Sequence, residues 1–280
     1  MKLDIVLISY NQEPYIAQAV ESILMQRVND DVQVRVIVAD DCSTDKTLEI
    51  IKSYEKKSPF VFVYLPEEQN MGHVRNYQRA FAACDGDYIC VLEGDDYWLD
   101  YLRVQKHIDF LNNHNECALS VNGIVLYWQE VDKYEKHEEE SHQEISYVDL
   151  KEQILVNNIG NHSSACYRTK LIKTMPDKFY SKTFDDALIG IWCAQFGYIA
   201  KLCEYTTVYR KHGKGLWAGM SKSMQDKEIV RRLKRNDKLF SYKYHFVFAD
   251  AISLYSPAPK IGAYIKFLKK IVKKFLKNIN

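Results

Sequence analysis

Apolar and polar positions follow two alternating rhythms along the first hundred residues. Short apolar runs, LDIVLIS (3–9), VRVIVAD (34–40), FVFVYL (60–65) and YICVL (88–92), have the length and β-branched content of buried strands. Between them apolar residues recur every three or four positions. Ile16, Val20, Ile23 and Leu24 follow Pro14; Leu48, Ile51 and Tyr54 follow Ser43 and Thr44, either of which can cap a helix; Val74, Tyr77, Phe81 and Cys84 form a third stripe. Strand and helix in alternation predict parallel strands joined by right-handed crossovers. Such a sheet binds ligands beyond the carboxyl ends of its strands. Polar residues gather at those ends: Ser9, Tyr10 and Asn11; Asp40 and Asp41; Glu93, Asp95 and Asp96.

After Trp98 the alternation loosens. A helix with Tyr101, Val104, Ile108 and Leu111 precedes a long apolar strand, CALSVNGIVLYW, so a mixed sheet is expected. Residues 129–144, QEVDKYEKHEEESHQE, lack apolar periodicity and read as a solvated loop or hairpin extension. HSSACYR and DDALIGIWCAQFG follow, the latter a helix ended by Gly197. No repeat of 20–50 residues and no low-complexity linker interrupts the chain.

Composition narrows the class. A chain of 280 residues that is 47% hydrophobic supports a large core, which excludes a disordered chain. The start, MKLDIVLISYNQ, carries Asp4 within a short apolar stretch, so neither a signal peptide nor a membrane span is expected and the location is read as cytoplasmic. Seven cysteines without a C-x-x-C pair read as reduced thiols. The net charge of +1 conceals an asymmetry: residues 251–280 hold seven lysines and no acid, leaving 1 − 7 = −6 for the remainder. Nucleic-acid binding is disfavoured, because the basic residues do not spread over a folded face. The end of the chain instead places Ile261, Ile265, Leu268, Ile271, Val272, Phe275, Leu276 and Ile279 on one helical face and lysines on the other. This basic amphipathic helix, 259–279, suits peripheral contact with an anionic membrane at the inner face of the cell, or packing on protein.

The acids pose the chemical question. Glu93, Asp95 and Asp96 lie within four residues past an apolar strand, and like charges so placed repel unless a cation or strong donors sit among them. Carboxylate oxygens are hard ligands suited to Mg²⁺ or Mn²⁺, which take phosphate oxygens and waters as further ligands. An aspartate doublet is also ordinary turn chemistry. The second acidic pair, in ADDCSTDKT, lies at another strand end and points to a shared site.

SYNQEPYIAQAVESILMQ, ADDCSTDKT, NMGHVRNYQRAF, GDYICVLEGDDYW and FDDALIGIWCAQFG, in this order between residue 3 and about residue 212, resemble the motifs of the family 2 inverting glycosyltransferases. The resemblance implies an α/β fold of the GT-A (Rossmann-like) type, a mixed, mainly parallel sheet flanked by helices, with a C-terminal helical extension. It divides the chain into a glycosyltransferase domain, 1–220, and an extension, 221–280. The donor-binding half of that domain would be about 1–98 and the acceptor half about 99–220. It implies a nucleotide-diphosphate sugar donor, with UDP the usual nucleotide, a Mn²⁺ or Mg²⁺ ion, and a hydroxyl acceptor on a saccharide or lipid-linked saccharide of a surface polysaccharide.

Carried over by position, Ser9 and Tyr10 resemble the residues that meet the nucleoside, and Asp41 the acid that hydrogen-bonds the base. Arg75 resembles a diphosphate contact, with Val74 where the family has alanine. Asp96 resembles the direct metal ligand, Glu93 a direct or water-mediated one, and Asp95 a contact to the donor sugar or ribose. Asp186 resembles the general base, with Asp185 as fallback, although an aspartate at a helix start is also a common cap. Ile191, Trp192 and Cys193 stand where the family often has a basic residue. YRKHGKG resembles a segment closing over the diphosphate, with Arg210, His212 and Lys214 as donors; a basic surface turn has the same composition. Asp40 and Asp45 read as structural, Gly72 as a turn glycine or a close approach to ligand, and His73 and His162 as bystanders.

The resulting chemistry is inverting transfer through an oxocarbenium-like state, similar to glycoside hydrolysis. A sugar nucleotidyltransferase is disfavoured because SYNQEPY lacks a glycine-rich, arginine-bearing loop, and a non-catalytic nucleotide-sugar binding protein has no use for Asp186. Dinucleotide and P-loop glycine motifs are absent.

Overall fold

Seven of the eight residues of β1 (Lys2–Ser9) are buried, and the central position of this strand follows from that. The structure, a computed structural model, describes residues 1–66, 68–137, 143–182, 184–213 and 219–256. The chain separates into two compact units, Met1–Ala218 and Gly219–Asn280.

In the first unit β1 lies parallel to β2 (Gln33–Asp40) on one side and β4 (Tyr88–Glu93) on the other, and β3 (Val61–Tyr64) extends β2. The crossovers are α1 (Ile16–Leu24), α2 (Thr47–Glu55) and α3 (His73–Ala83). Their apolar stripes supply Ile16, Val20, Ile23 and Ile51 to the core, opposite Leu3, Ile5, Val36 and Val38. The far side is mixed, as expected. β9 (Ala165–Arg168) runs antiparallel to β4 and to β6 (Cys117–Trp128); β10 (Tyr198–Lys211) runs parallel to β6 and antiparallel to β5 (Tyr97–Trp98). The order is β3-β2-β1-β4-β9-β6-β10-β5. Residues 129–136 form a hairpin extension, in which β7 (Lys133–Lys136) pairs with β6, while β8 (Ile145–Val148) pairs with β10. The remaining helices of this unit are α4 (Arg103–Asn113), α5 (Leu150–Leu155), α6 (Thr169–Lys173) and α7 (Asp186–Ala194).

Two local expectations change. α2 begins at Thr47 without a side-chain cap, because Ser43 and Thr44 are engaged elsewhere: Ser43 bonds to Asp40, and Thr44 to Asn11. α7 ends at Ala194, and Gly197 serves a close approach instead, since a Cβ there would lie 2.4 Å from the Glu116 carbonyl oxygen.

Asp4 is fully buried at the opposite end of β1 from the polar rim, and its carboxylate accepts both forks of Arg35, at 2.8 and 3.0 Å, and the amides of Asp85 and Gly86. Removing one partner of such a network leaves the others without an acceptor. Asp4→Ala is expected to lower stability by about 3 kcal/mol, read from urea denaturation.

In the second unit α8 (Lys222–Leu239), capped by Ser221, packs with α9 (His245–Tyr255) through Phe240 and Phe248, and His245 bonds Asp237 at 2.6 Å. The expected amphipathic helix, 259–279, and Lys214 lie outside the described residues. No helix among the described residues is long and apolar enough to cross a membrane. All seven cysteines are free, five of them buried.

Candidate active site

Three loops leave the carboxyl ends of β1, β2 and β4 side by side, and hydrogen bonds zip the first two together. Asn11, at φ 51°, takes the amide of Thr44 on its side-chain oxygen and gives its own amide to Ser43. Gln12 donates its amide to Thr47, and Glu13 to Asp45. Asp40 holds this joint: its Oδ1 accepts from Ser9 at 2.8 Å and Ser43 at 2.6 Å, and its Oδ2 accepts the Ser43 amide at 2.8 Å. Ser9 is thereby a buried latch, which corrects its expected contact with the nucleoside. Tyr10, next in sequence, is 44% exposed and presents a free-standing ring surface at the rim.

Asp41 is 2% exposed, and each carboxylate oxygen accepts one backbone amide, from Met71 and Gly72, both at 2.8 Å. It ties the segment before α3 to the end of β2. The Gly72 amide is presented at φ 82°, a left-handed conformation that glycine adopts without a steric penalty. Beyond these bonds only the second lone pairs of Asp41 remain for a nucleobase. Arg75 is exposed on α3 and bonds Gln78, which reaches Asp177. The structure does not bring it to the acids, which corrects the diphosphate contact expected of it. Arg79, one turn on, binds the carbonyls of Asp40, Leu65 and Pro66 and braces the β2 end.

The acids after β4 divide into three environments. Gly94 lets the turn press against α1, where a Cβ would lie 2.7 Å from Gln12 Oε1 and 2.8 Å from Ile16 Cδ1. Asp96 turns inward. It is 1% exposed; its Oδ2 accepts from Asn161 at 2.8 Å and Ser163 at 2.6 Å, and its Oδ1 from the Arg210 amide at 3.0 Å. Burial, with Asp95 and Glu93 nearby, pushes its carboxyl well above the usual range. A carboxylate already enclosed by three donors has little to offer an ion, so Asp96 is a structural anchor and not the direct metal ligand expected of it. The anchor is deep: the Ser163 carbonyl accepts from Trp98 Nε1 and from Arg103, itself buried and stacked on Trp98 at 4.3 Å.

Asp95 points the other way, and its Oδ2 lies 3.0 Å from His212 Nε2, contributed by the loop after β10. The two are hydrogen-bonded, and the same separation would suit cis ligands of an octahedral Mn²⁺ or Mg²⁺ with bonds of ~2.1 Å, an entering ion taking the place of the bridging hydrogen. Among the described residues no group of three His, Cys, Asp or Glu side chains is arranged to hold a metal ion. Phosphate and water would complete such a shell.

Glu93 accepts from the Tyr77 hydroxyl at 2.9 Å. Burial and the neighbouring charges of Asp95 and Asp186 raise its carboxyl to about 8, against the Tyr77 bond. Because the folded protein holds this proton between roughly pH 4.5 and 8 while the unfolded chain releases it, the term stabilises below pH 4.5 and is lost as pH rises through 8. In chelator, the melting temperature is therefore expected to fall between pH 5 and 8.5 in the wild type, and to fall less in Glu93→Gln.

Asp185 and Asp186 separate cleanly. Asp185 is the cap of α7, accepting the Leu188 amide at 2.8 Å. Asp186, the first helical residue, accepts from the Ala187 amide at 3.0 Å and from Asn157 Nδ2 at 3.1 Å. Its charge raises Glu93, Tyr77 and Tyr209, and Asp95 also raises Glu93 and Tyr209, so Asp186 at the start of α7 lies within electrostatic reach of the groups that surround the acids after β4. His162 is buried, bonds Tyr167 and packs on Tyr77 and Phe184; burial lowers it to about 4, a satisfied neutral histidine. Sequence reasoning missed Tyr77, Asn157, Asn161 and Ser163. Tyr77 reads as one more apolar position of α3, while the polar density of NNIGNHSS (157–164) was the available signal for the rest.

A family model described as glycosyl transferase family 2 matches residues 4–174. An uncharacterized protein of Mycobacterium tuberculosis is 32% identical over 221 residues, 77% of this chain and 60% of that protein, so the chain spans under two thirds of this relative. The putative teichuronic acid biosynthesis glycosyltransferase TuaG of Bacillus subtilis is 34% identical over 123 residues, 44% of this chain and 46% of that one. Among solved structures, S. aureus TarS 1-349 in complex with UDP-GlcNAc superposes with a TM-score of 0.64 at 20% identity, over 91% of this chain and 74% of that chain. The mixed sheet and flanking helices described above match this GT-A architecture.

Proposed function

Since the chain belongs to glycosyl transferase family 2, we propose that it moves a sugar, with inversion, from a UDP-sugar to a hydroxyl of a saccharide or lipid-linked saccharide in surface-polysaccharide synthesis. The names of TuaG and of the TarS complex support the acceptor and donor classes. The observation that carries the reading is the placement of the acids: Asp95, just past β4, meets His212 at 3.0 Å, while Asp186 at the start of α7 is held by Asn157 at 3.1 Å and acts on the same Glu93 as Asp95 does.

In this mechanism Tyr10 packs on the base, and the zipped loops after β1 and β2 hold the nucleoside end in place. Asp95 and His212 would hold a divalent cation, whose charge would stabilise the diphosphate as it leaves. Glu93, held by the Tyr77 hydroxyl, would supply a further carboxylate to the ion, directly or through water. Asp186, oriented by Asn157, accepts the proton of the attacking hydroxyl. Asp96 and Asp41 keep the two strand ends in register.

A panel of nucleotide sugars tested for thermal stabilisation, each with Mn²⁺ and with chelator, examines the reading. A UDP-sugar at 100 times its Kd adds about 2.7 kcal/mol to folding. Stabilisation by UDP-sugars only in Mn²⁺ is the expected result; no response to any member of the panel would refute it.

A further inference from the structure

We infer that Arg210 is a positioning residue for the cation pair, setting the spacing of Asp95 and His212 from a cage of three tyrosines. The inference rests on the proposed function, because it takes that pair as the ion's ligands.

Arg210 is 8% exposed, near the end of β10 and two residues before His212. It makes three directed bonds. Its amide donates to Asp96 Oδ1 at 3.0 Å, its Nε to the Asp95 backbone carbonyl at 2.9 Å, and its Nη2 to Gln18 Oε1 at 2.5 Å. One residue thus ties the Asp95–Asp96 turn to the strand that delivers His212 and to α1. Around the guanidinium, Cζ lies 5.0 Å from the ring of Tyr15, 5.4 Å from Tyr97 and 5.2 Å from Tyr127. The cage is itself braced. Tyr127 stacks on Tyr134 at 4.4 Å, the Tyr134 and Tyr97 hydroxyls are 3.3 Å apart, and Tyr15 packs on the His212 ring at 4.9 Å.

The choice of acceptors matters. The side chain of Arg210 bonds a carbonyl and an amide oxygen, and it meets Asp95 at the backbone and not at the carboxylate. An arginine paired with that carboxylate would compete with an ion for it; this one fixes the residue and leaves its Oδ2 to His212. The tyrosine faces stand in for water around the cation. Lysine reproduces the charge but not two donors in a fixed plane, so charge alone does not meet the requirement.

The test uses the full chain with Mn²⁺ and UDP as probes, in the wild type, Arg210→Lys, Arg210→Met and Tyr127→Leu. Mn²⁺ affinity is titrated by electron paramagnetic resonance of the free ion with UDP present, UDP affinity by calorimetry in EDTA, and stability by melting. Loss of an outer partner of a metal ligand typically weakens metal binding 10- to 100-fold. About that loss is expected for both Arg210 variants, with a smaller loss in the same direction for Tyr127→Leu, unchanged UDP affinity in EDTA, and activity recovered at high Mn²⁺. Unaltered Mn²⁺ affinity in folded Arg210 variants overturns the inference. A parallel loss of UDP affinity in EDTA also overturns it, assigning Arg210 to the phosphates directly. Should both Arg210 variants fail to fold, Tyr127→Leu decides: unaltered Mn²⁺ affinity there overturns the inference, and weakened affinity supports it. A wild type that binds neither probe removes the parent reading and this inference together, whereas wild-type binding with unaltered variants removes this inference alone.

Discussion

Asp186→Asn is expected to lower the transfer rate about 10²- to 10⁴-fold while leaving the affinity for a UDP-sugar in Mn²⁺ unchanged. The substitution keeps the size of the side chain and the acceptor for the Ala187 amide, and removes the negative charge whose field raises Glu93 and Tyr209. Asp185 remains the cap of α7, so the helix start persists and the loss is chemical. Single-turnover transfer and calorimetry on the same preparation read the two quantities separately. A variant that loses donor affinity in step with rate would place Asp186 on the donor and not on the acceptor hydroxyl.

Asp95→Ala is the second large effect, and it is informative beside Asp96→Ala. Removing Asp95 takes away one of the two proposed ion ligands and a single part-buried bond, to His212, so UDP-sugar binding in Mn²⁺ is expected to fall at least about tenfold while the melting temperature in chelator falls less than in Asp96→Ala. Removing Asp96 leaves Asn161, Ser163 and the Arg210 amide without their acceptor in a closed interior, at a cost of about 1–3 kcal/mol each way of counting. That variant is expected to melt early in chelator as well as in Mn²⁺. Were the two variants to exchange these behaviours, the assignment of Asp95 as ligand and Asp96 as anchor would be reversed.

The parallel half of the sheet was legible because its strands are buried on both faces and so read as unbroken apolar runs, with helical stripes between them. The rim was legible for the same reason, since a polar cluster after such a run can only be at a strand end. Which acid faces which way was not legible. Asp95 and Asp96 are adjacent and chemically identical, and their fates are decided by Asn161 and Ser163, more than sixty residues away. Ser9 and Arg75 failed for a related reason: a hydroxyl or a guanidinium is defined by its partner, and Asp40 and Gln78 claimed them. The doublet at 185–186 stayed open in the sequence, since either aspartate can start a helix, and the bond from the Leu188 amide makes Asp185 the cap.

The pairing of β1 with β4, Leu3 against Tyr88, and of β6 with β10, Cys117 against Tyr198, has a consequence for how the protein comes into being. Strands so distant in sequence pay the entropy of closing long chain segments before any neighbour rewards them, which places folding in the slow, millisecond-to-second class. A ribosome must therefore deliver the chain past Glu93 before β1 acquires its second neighbour, and past His212 before both proposed ligands of the ion exist. Until then the nascent chain exposes unpaired strand edges, and it is during synthesis that it most needs a chaperone.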